Sequence, residues 1–109
     1  HKEYSEAIEV YGEALEVSKN QDGKWQPLLL SLRGYTRFLN DELESAIVDL
    51  DLSAELDSLN ALTLIRRGQA YLKQKKFGQA CEDFKQAGFL APDNIQVPQL
   101  LEELDSRIT

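Results

Sequence analysis

The sequence is poor in the residues that build disulfides, metal centres and histidine-based catalytic sites. Its 109 residues include a single cysteine, Cys81, and a single histidine, His1. One cysteine can form neither an internal disulfide nor a multi-cysteine zinc site. The one histidine is the first residue, and chain ends fray. It is therefore poorly placed to belong to a Ser-His-Asp triad or a histidine-rich metal centre. We therefore predict neither a metal nor a cofactor.

Long apolar runs, proline and glycine are also scarce. The longest apolar run is Leu28–Leu30, and the chain holds three prolines and six glycines. This composition excludes a fibrous or linker-rich chain, and no run is long enough to insert into a membrane. The sequence shows no N-linked glycosylation motif and no signal peptide. Together these absences favour a single domain, residues 1–109, in a reduced, cytoplasmic setting.

Acidic side chains outnumber basic ones, and the two signs are distributed unevenly. The chain has 12 Lys and Arg against 19 Asp and Glu, a net charge of −7. This balance argues against nucleic-acid binding, which needs a basic face to neutralise phosphates. Residues 1–60 carry 5 basic and 13 acidic side chains, whereas residues 61–94 carry 6 basic and 3 acidic. The pattern predicts a positive strip against an acidic background.

Apolar residues recur at steps of three and four along almost the whole chain, which is the signature of amphipathic helices. The breaks between these stretches are turn-forming residues, such as the Asn-Gln-Asp-Gly sequence that begins at Asn20. No alternating strand pattern of useful length competes, so the predicted fold is all-α. The predicted helices are Tyr4–Val17, Pro27–Leu39, Leu43–Leu56, Ala61–Gln74, Phe77–Leu90 and Pro98–Ile108.

Small and aromatic residues recur at a fixed spacing, the one that separates Gly34 from Gly68, which we call the repeat period. The other pairs with this spacing are Ala46 and Ala80, Leu50 and Phe84, Ser53 and Ala87, and Ser58 and Pro92. An earlier, partial copy of this pattern lies upstream of the first full copy at a longer spacing. The linker between these two copies therefore holds extra residues near 22–26. Such a period is typical of helical-repeat proteins, in which each helix pair must stack on a neighbour to bury its apolar face.

The segment Ala61–Asn94 resembles a tetratricopeptide repeat. Its residues match six characteristic positions of that family, namely Gly68, Tyr71, Ala80, Phe84, Ala87 and Pro92. Residues 27–60 are a weaker copy, which keeps Gly34 and Ala46 but has Arg37, Ser53 and Ser58 where the family has tyrosine, alanine and proline. Residues 1–21 resemble the second helix of a truncated repeat, and residues 95–109 a capping helix. The resemblance implies a right-handed α-solenoid of about two and a half repeats.

The first helix of the earliest repeat is absent from the sequence, which leaves an apolar face formed by Ile8, Tyr11 and Leu15 without its usual neighbour. Three readings stay open: the chain is a fragment, its front helix is unobserved, or another chain supplies the cover. The last reading includes self-association through the uncovered N-terminal helix.

The resemblance also implies a non-catalytic function, namely binding of a partner peptide or helix in a concave groove lined by the first helix of each repeat. The groove residues predicted in this sequence are Leu28, Leu32, Tyr35 and Leu39 in the middle repeat, and Leu62, Arg66, Gln69 and Lys73 in the last. Ser31, Phe38, Ile65 and Leu72 occupy further groove positions of the family. One half of the predicted groove is apolar and the other basic, which suits a peptide with apolar anchors and a carboxylate.

Packing offers a competing interpretation for the leucine and tyrosine stripe, because leucines at helical spacing often belong to a core. Burial of the two arginines beside it, Arg33 and Arg37, would be unfavourable in such packing, because an unpaired buried charge is costly. We expect them to extend to solvent or to pair with Asp49, Asp51 or Glu55 on the partner helix.

A narrower alternative follows from the family. Some tetratricopeptide proteins are co-chaperones, which hold the acidic carboxyl terminus of heat-shock chaperones in a clamp of Lys, Asn, Lys and Arg. Arg66 falls at the clamp arginine position, but Leu62 and Leu32 replace a clamp lysine and a clamp asparagine. We therefore predict a scaffold or adaptor first, with a co-chaperone and a self-association module as alternatives.

Catalysis has little support in the sequence. Neighbouring acidic pairs such as Glu42 with Glu44 and Glu102 with Glu103 do not share a helix face and are typical of a solvated surface. Cys81 lies beside Ala80 and is expected to be a small buried hydrophobic side chain rather than a reactive thiolate. We predict that the chain is not an enzyme.

Overall fold

The computed structural model describes residues 1–108, and every regular element in that range is an α-helix. The helices are α1 (Lys2–Lys19), α2 (Gln26–Leu39), α3 (Leu43–Leu56), α4 (Ala61–Lys73), α5 (Phe77–Leu90) and α6 (Gln96–Ile108). The all-α prediction is confirmed. The predicted bounds of α3 and α5 agree with the structure, and those of the other helices differ by one or two residues at one or both ends.

Helix α6 begins at Gln96 and not at the predicted Pro98. The side-chain oxygen of Asn94 accepts hydrogen bonds from the backbone N–H groups of Gln96, at 2.8 Å, and of Val97, at 3.1 Å. This cap satisfies donors that lack a partner inside the helix, so the first turn forms ahead of the proline. Pro98 is tolerated there because a first-turn residue has no helical hydrogen bond to lose.

The chain divides into two compact units, residues 1–58 and the residues from Leu59 onward. In the first unit α2 packs against both α1 and α3. Its buried apolar residues include Leu15, Leu30, Ala46 and Leu50. Burial of these side chains supplies the driving force for pairing the three helices.

In the second unit α5 packs against α4 on one side and α6 on the other. Phe84 is completely buried at its centre, and α6 contributes Val97, Leu100 and Leu104 to the same core. The lone cysteine, Cys81, is half-buried and packs against this core. It contacts the core as expected, but it is half-buried rather than buried.

A glycine allows close helix contact in each unit. A methyl group added at Gly34 would lie 2.8 Å from Leu50 Cγ and 3.1 Å from the Ala46 carbonyl oxygen. A methyl group at Gly68 would lie 2.5 Å from Cε1 of Phe84. The two glycines are one repeat period apart, as are the side chains that face them, so the repeat seen in the sequence is a repeat of helix packing.

The turn inside each helix pair contains one residue in the left-handed backbone region. Asp41 has φ 63° and Lys75 has φ 64°, and these two residues are also one repeat period apart. For an L-residue other than glycine, this backbone conformation costs about 1–2 kcal/mol of free energy, because its Cβ crowds the following carbonyl oxygen.

We expect Lys75→Gly to raise the free energy of unfolding by about 0.5–1 kcal/mol, since glycine relieves this strain but loses more backbone entropy on folding. Urea denaturation followed by circular dichroism measures the change. Lys76→Gly is the matched control, because Lys76 has φ −89° and gains nothing from glycine. Equal effects of the two substitutions would contradict the prediction.

Candidate functional site

The four predicted groove residues on α2 form an apolar surface that is only partly used for packing. Leu28 and Leu39, at the two ends of the helix, are 47% and 42% exposed. Leu32 and Tyr35 between them are half-buried. The Tyr35 ring stacks on the Phe38 ring of the same helix, with centroids 5.9 Å apart. The surface is therefore apolar, ordered by ring stacking and reachable from solvent at both ends.

The four predicted residues on α4 form a mixed surface. Leu62 is 47% exposed and Lys73 is exposed, whereas Arg66 and Gln69 are half-buried. Positions 62, 66, 69 and 73 follow steps of four, three and four, which keeps them on one side of the helix. This side combines one apolar group, one amide and two cations, a set that suits a carboxylate-bearing ligand.

Three further positions expected in the groove are inaccessible. Ser31, Ile65 and Leu72 are 3%, 1% and 5% exposed, so this part of the prediction is wrong. Ile65 and Leu72 lie two turns apart on α4 and belong to the core of the second unit. The helix is rotated so that this stripe faces the core, and only the neighbouring stripe stays accessible.

Arg33 and Arg37, whose burial without a partner would be costly, both bind one buried carboxylate. Arg33 donates from Nε and Nη2 to the two oxygens of Asp49, each at 2.8 Å, and Arg37 donates from Nη1 at 2.9 Å. Asp49 is 1% exposed. The hydrogen bond to Asp49 raises the pKa of the Arg33 guanidinium, outweighing the effect of burial, so this side chain stays charged. The expected pairing of both arginines with Asp49 is thus confirmed.

An equivalent ion pair in the second unit was missed by the sequence analysis. Arg67 donates from Nε and Nη2 to the two oxygens of Asp83, at 2.9 and 2.7 Å. Both residues lie one repeat period after Arg33 and Asp49. The period that identified the repeat could have predicted this pair once the first was assigned. Both pairs connect the two helices of one hairpin, so they stabilise the scaffold on which the exposed faces are displayed.

The first unit contains a cavity of about 400 Å³ between its three helices, and none of the predicted groove residues lines it. It is lined by Gly12, Leu15, Glu16 and Lys19 of α1, Gln26, Leu30 and Arg33 of α2, and Leu52, Glu55 and Leu56 of α3. The sequence feature that could have indicated this cavity is that α3 carries more apolar residues than its packing against α2 requires.

The second unit has a shallower cavity of about 490 Å³ on α4 and α5. It is lined by Leu64, Arg67, Glu82, Asp83, Lys85, Gln86 and Phe89. Leu64 and Arg67 occupy the same repeat positions as Leu30 and Arg33. The two cavities are thus equivalent places in successive repeats.

The apolar face of α1 is more covered than the sequence suggested. Leu15 is 7% exposed, and Ile8 and Tyr11 are half-buried. The expectation of a bare face is wrong because α1 packs against α2 inside the first unit. The most exposed apolar residues of α1 are Val10 and Val17, at 60% and 59%.

Neither a metal-binding group nor a membrane-spanning helix is found among residues 1–108. That part of the chain holds no group of three or more His, Cys, Asp or Glu side chains arranged to bind a metal ion. Among the helices described, none combines the length and the apolar character needed to cross a membrane.

Successive helix hairpins that share one repeat period, with a glycine facing a large side chain and a buried Arg–Asp pair in each, define an all-α helical-repeat protein. Residues 61–94 match the family model of the tetratricopeptide repeat. This segment is a tetratricopeptide repeat, and the chain has the tetratricopeptide fold, as the resemblance predicted.

Similar proteins include two UNC-45 proteins, one of which is a myosin chaperone. The chain is 30% identical over 106 residues to unc-45 homolog B of Xenopus tropicalis, an alignment that covers 97% of this chain and 11% of that protein. It is similar to UNC-45 of C. elegans, solved in complex with an Hsp90 peptide, at 29% identity and a TM-score of 0.89, covering 97% of this chain and 12% of that one. The chain thus spans about a ninth of the length of these relatives.

A smaller neighbour is matched over most of its own length. The first tetratricopeptide domain of Spaghetti (RPAP3), solved with the HSP90 peptide SRMEEVD, has a TM-score of 0.87 and 23% identity, covering 98% of this chain and 81% of that one. At this identity the likeness shows a shared fold.

Proposed function

We propose that this chain is a non-catalytic protein-interaction module that binds partner peptides on the exposed faces of α2 and α4. The observation that carries the proposal is the exposure of Leu28 and Leu39 at either end of the stacked Tyr35 and Phe38 rings. Core packing does not account for apolar side chains that remain more than two-fifths exposed. Tyrosine side chains held on a rigid helix are typical anchors at a binding surface, and exposed leucines beside them add apolar contact area.

The α4 face supports recognition of an acidic ligand. Arg66, Gln69 and Lys73 offer charged and amide donors on one side of the helix, with Leu62 as an apolar contact. Hydrogen bonds from cations to a carboxylate are roughly twice as strong as those between neutral groups. We therefore expect this face to prefer peptides that carry aspartate, glutamate or a free carboxyl terminus.

A peptide library displayed on phage and selected on the chain tests the proposal. We expect the selected peptides to share apolar anchors and to lose affinity roughly tenfold or more for the double variant Leu28→Lys/Leu39→Lys. Leu59→Lys is the matched control, because Leu59 is a 75% exposed leucine outside either face. Selected peptides that bind the double variant as tightly as the unmodified chain would refute the α2 face as the site.

A second candidate is recognition of a chaperone tail, and two observations favour it. The relatives at 29–30% identity are UNC-45 proteins, one of them solved with an Hsp90 peptide. Arg66 occupies the position of the clamp arginine, is half-buried and shares its face with Lys73. Against it stand Leu62 and Leu32, which have no charge or amide to offer a carboxylate.

Calorimetric titration of the peptide SRMEEVD, as free acid and as carboxy-amide, separates the two candidates. Chaperone-tail recognition requires tighter binding of the free acid, by roughly tenfold, and its loss in Arg66→Ala. Arg107→Ala is the control, because Arg107 lies on α6 and pairs with Glu103 of the same helix, at 3.6 Å. Equal binding of the two peptides, or none, would end this candidate and leave peptides with apolar anchors as the ligands to pursue.

A further inference from the structure

The cavity between α1, α2 and α3 is bounded by an exposed apolar stripe on α3. Val48, Leu52 and Leu56 follow each other at steps of four on α3 and are 57%, 44% and 56% exposed. Leu52 and Leu56 also line the cavity, whose floor is formed by Leu15 and Leu30. An exposed apolar stripe that runs into a cavity is a recurring mark of an interaction site.

The neighbouring repeat shows that two of these three positions have no need to be apolar. The residues one repeat period after Val48 and Leu52 are Glu82 and Gln86 on α5. Both are exposed, in a helix pair that is held by the same glycine contact and the same Arg–Asp pair. Leu56 corresponds to Leu90, which is half-buried and packs against the core of the second unit. Val48 and Leu52 are thus an addition to the repeat and not a part of its packing.

The helices around this stripe are acidic overall. Helices α1 and α3, which form the two walls, contain eight acidic side chains besides the buried Asp49, against two lysines. The charged side chains that line the cavity itself are Glu16, Lys19, Arg33 and Glu55. One of these lysines, Lys19, bonds Glu16 at 3.0 Å, and Arg33 in the cavity is held by Asp49. Glu55, at the cavity wall, has no ion-pair partner among residues 1–108. Glu55 is thus the charged group at the cavity that a partner can neutralise, and we expect a partner that covers the stripe to carry positive charge.

We propose that this groove binds a basic amphipathic helix of a partner protein. Large apolar residues of that helix, spaced by four and three, would lie along Val48, Leu52 and Leu56, with one of them inside the cavity. Lysine or arginine residues on either side would pair with Glu55 and with the acidic residues of α1. A helix is the fitting occupant because the groove lies between two helices, where a third can pack its ridge of side chains. This site is separate from the α2 and α4 faces of the proposed function.

The test uses a designed alanine-rich helical peptide with leucines spaced by four and three and lysines on both flanks. Trp25 is the only tryptophan, is 53% exposed and precedes Gln26, which lines the cavity, so its fluorescence reports binding without a label. The twin peptide has glutamate in place of every lysine. We expect saturable binding of the lysine peptide and roughly tenfold or weaker binding of the glutamate twin, with an affinity that falls as salt is added.

The variant Val48→Glu/Leu52→Gln gives α3 the residues that α5 has at the same positions, so we expect it to keep its helical circular-dichroism spectrum. It should weaken binding of the lysine peptide roughly tenfold or more. Leu28→Lys/Leu39→Lys is the control that leaves this groove intact, and it distinguishes failure here from failure of the proposed function.

Three outcomes would overturn the inference. They are equal affinity for the two peptides, an unchanged affinity in Val48→Glu/Leu52→Gln, and the absence of a saturable signal up to roughly millimolar peptide. Sedimentation equilibrium of the chain alone tests whether a second copy of the chain occupies the groove. A dimer that this variant dissociates would make the groove an interface between identical chains instead.

Discussion

Replacing Asp49 by alanine is expected to lower the free energy of unfolding by roughly 3–5 kcal/mol, because Arg33 and Arg37 then keep their charge and lose their shared partner. The carboxylate is 1% exposed and accepts three hydrogen bonds of 2.8–2.9 Å from the two guanidinium groups. A domain of this size has a total stability of roughly 5–15 kcal/mol, so a large part of it depends on this residue. Urea denaturation followed by circular dichroism measures the loss.

Glu16→Ala is the control for this substitution. Glu16 also forms an ion pair, with Lys19 at 3.0 Å, but both side chains are more than half exposed. Exposed pairs contribute about 0–1 kcal/mol because water screens them, so we expect little change. Replacing Arg33, Arg37 and Asp49 together by apolar residues of similar size should recover part of the loss, since no charge is then left without a partner. A loss in Asp49→Ala no larger than in Glu16→Ala would show that water replaces the carboxylate.

The second large effect is expected at Gly68. A methyl group there would lie 2.5 Å from Cε1 and 2.8 Å from Cδ1 of Phe84, whose side chain is completely buried and cannot move aside. Overfilling a packed core costs typically about 1–3 kcal/mol. We therefore expect Gly68→Ala to lower the melting temperature clearly, although alanine favours the helix more than glycine does.

Gly78→Ala provides a matched comparison, because nothing lies within 4 Å of a methyl group at that position of α5. Alanine should stabilise the helix there by about 0.5–1 kcal/mol, so the two substitutions should differ in sign. Phe84→Leu, which introduces the residue that faces Gly34 in the other unit, should partly rescue Gly68→Ala in a double-mutant cycle. Additive effects of Gly68→Ala and Phe84→Leu would show that the two residues are not in contact.

The sequence predicted the fold closely because the relevant signals are local or periodic. Steps of three and four in apolar residues set the helices, and turn residues such as Asn20 and Asn40 set their ends within one or two positions. The repeat period identified which helices form a pair, since Gly34 and Gly68 are each followed at the same distance by a large side chain.

The candidate sites were predicted less completely. Leu28, Leu39, Leu62 and Lys73 are exposed as a groove requires, and their role in binding stays a prediction. Ile65 and Leu72 were wrongly placed in the groove because a helical stripe tells which residues share a face but not which way that face points. The groove between α1 and α3 was not foreseen, because its walls come from segments that lie far apart in the sequence, with α2 between them.

By itself the sequence determined the six helices, their pairing and the repeat to which they belong, because backbone preference and apolar periodicity act within one or two turns of chain. Only the tertiary structure decided that Asp49 holds both arginines, that Leu15 is covered and that Val48 and Leu52 are left exposed beside a cavity. Each of these depends on the rotation of one helix against another. That rotation is decided by how side chains of both helices fit together, so no single segment encodes it.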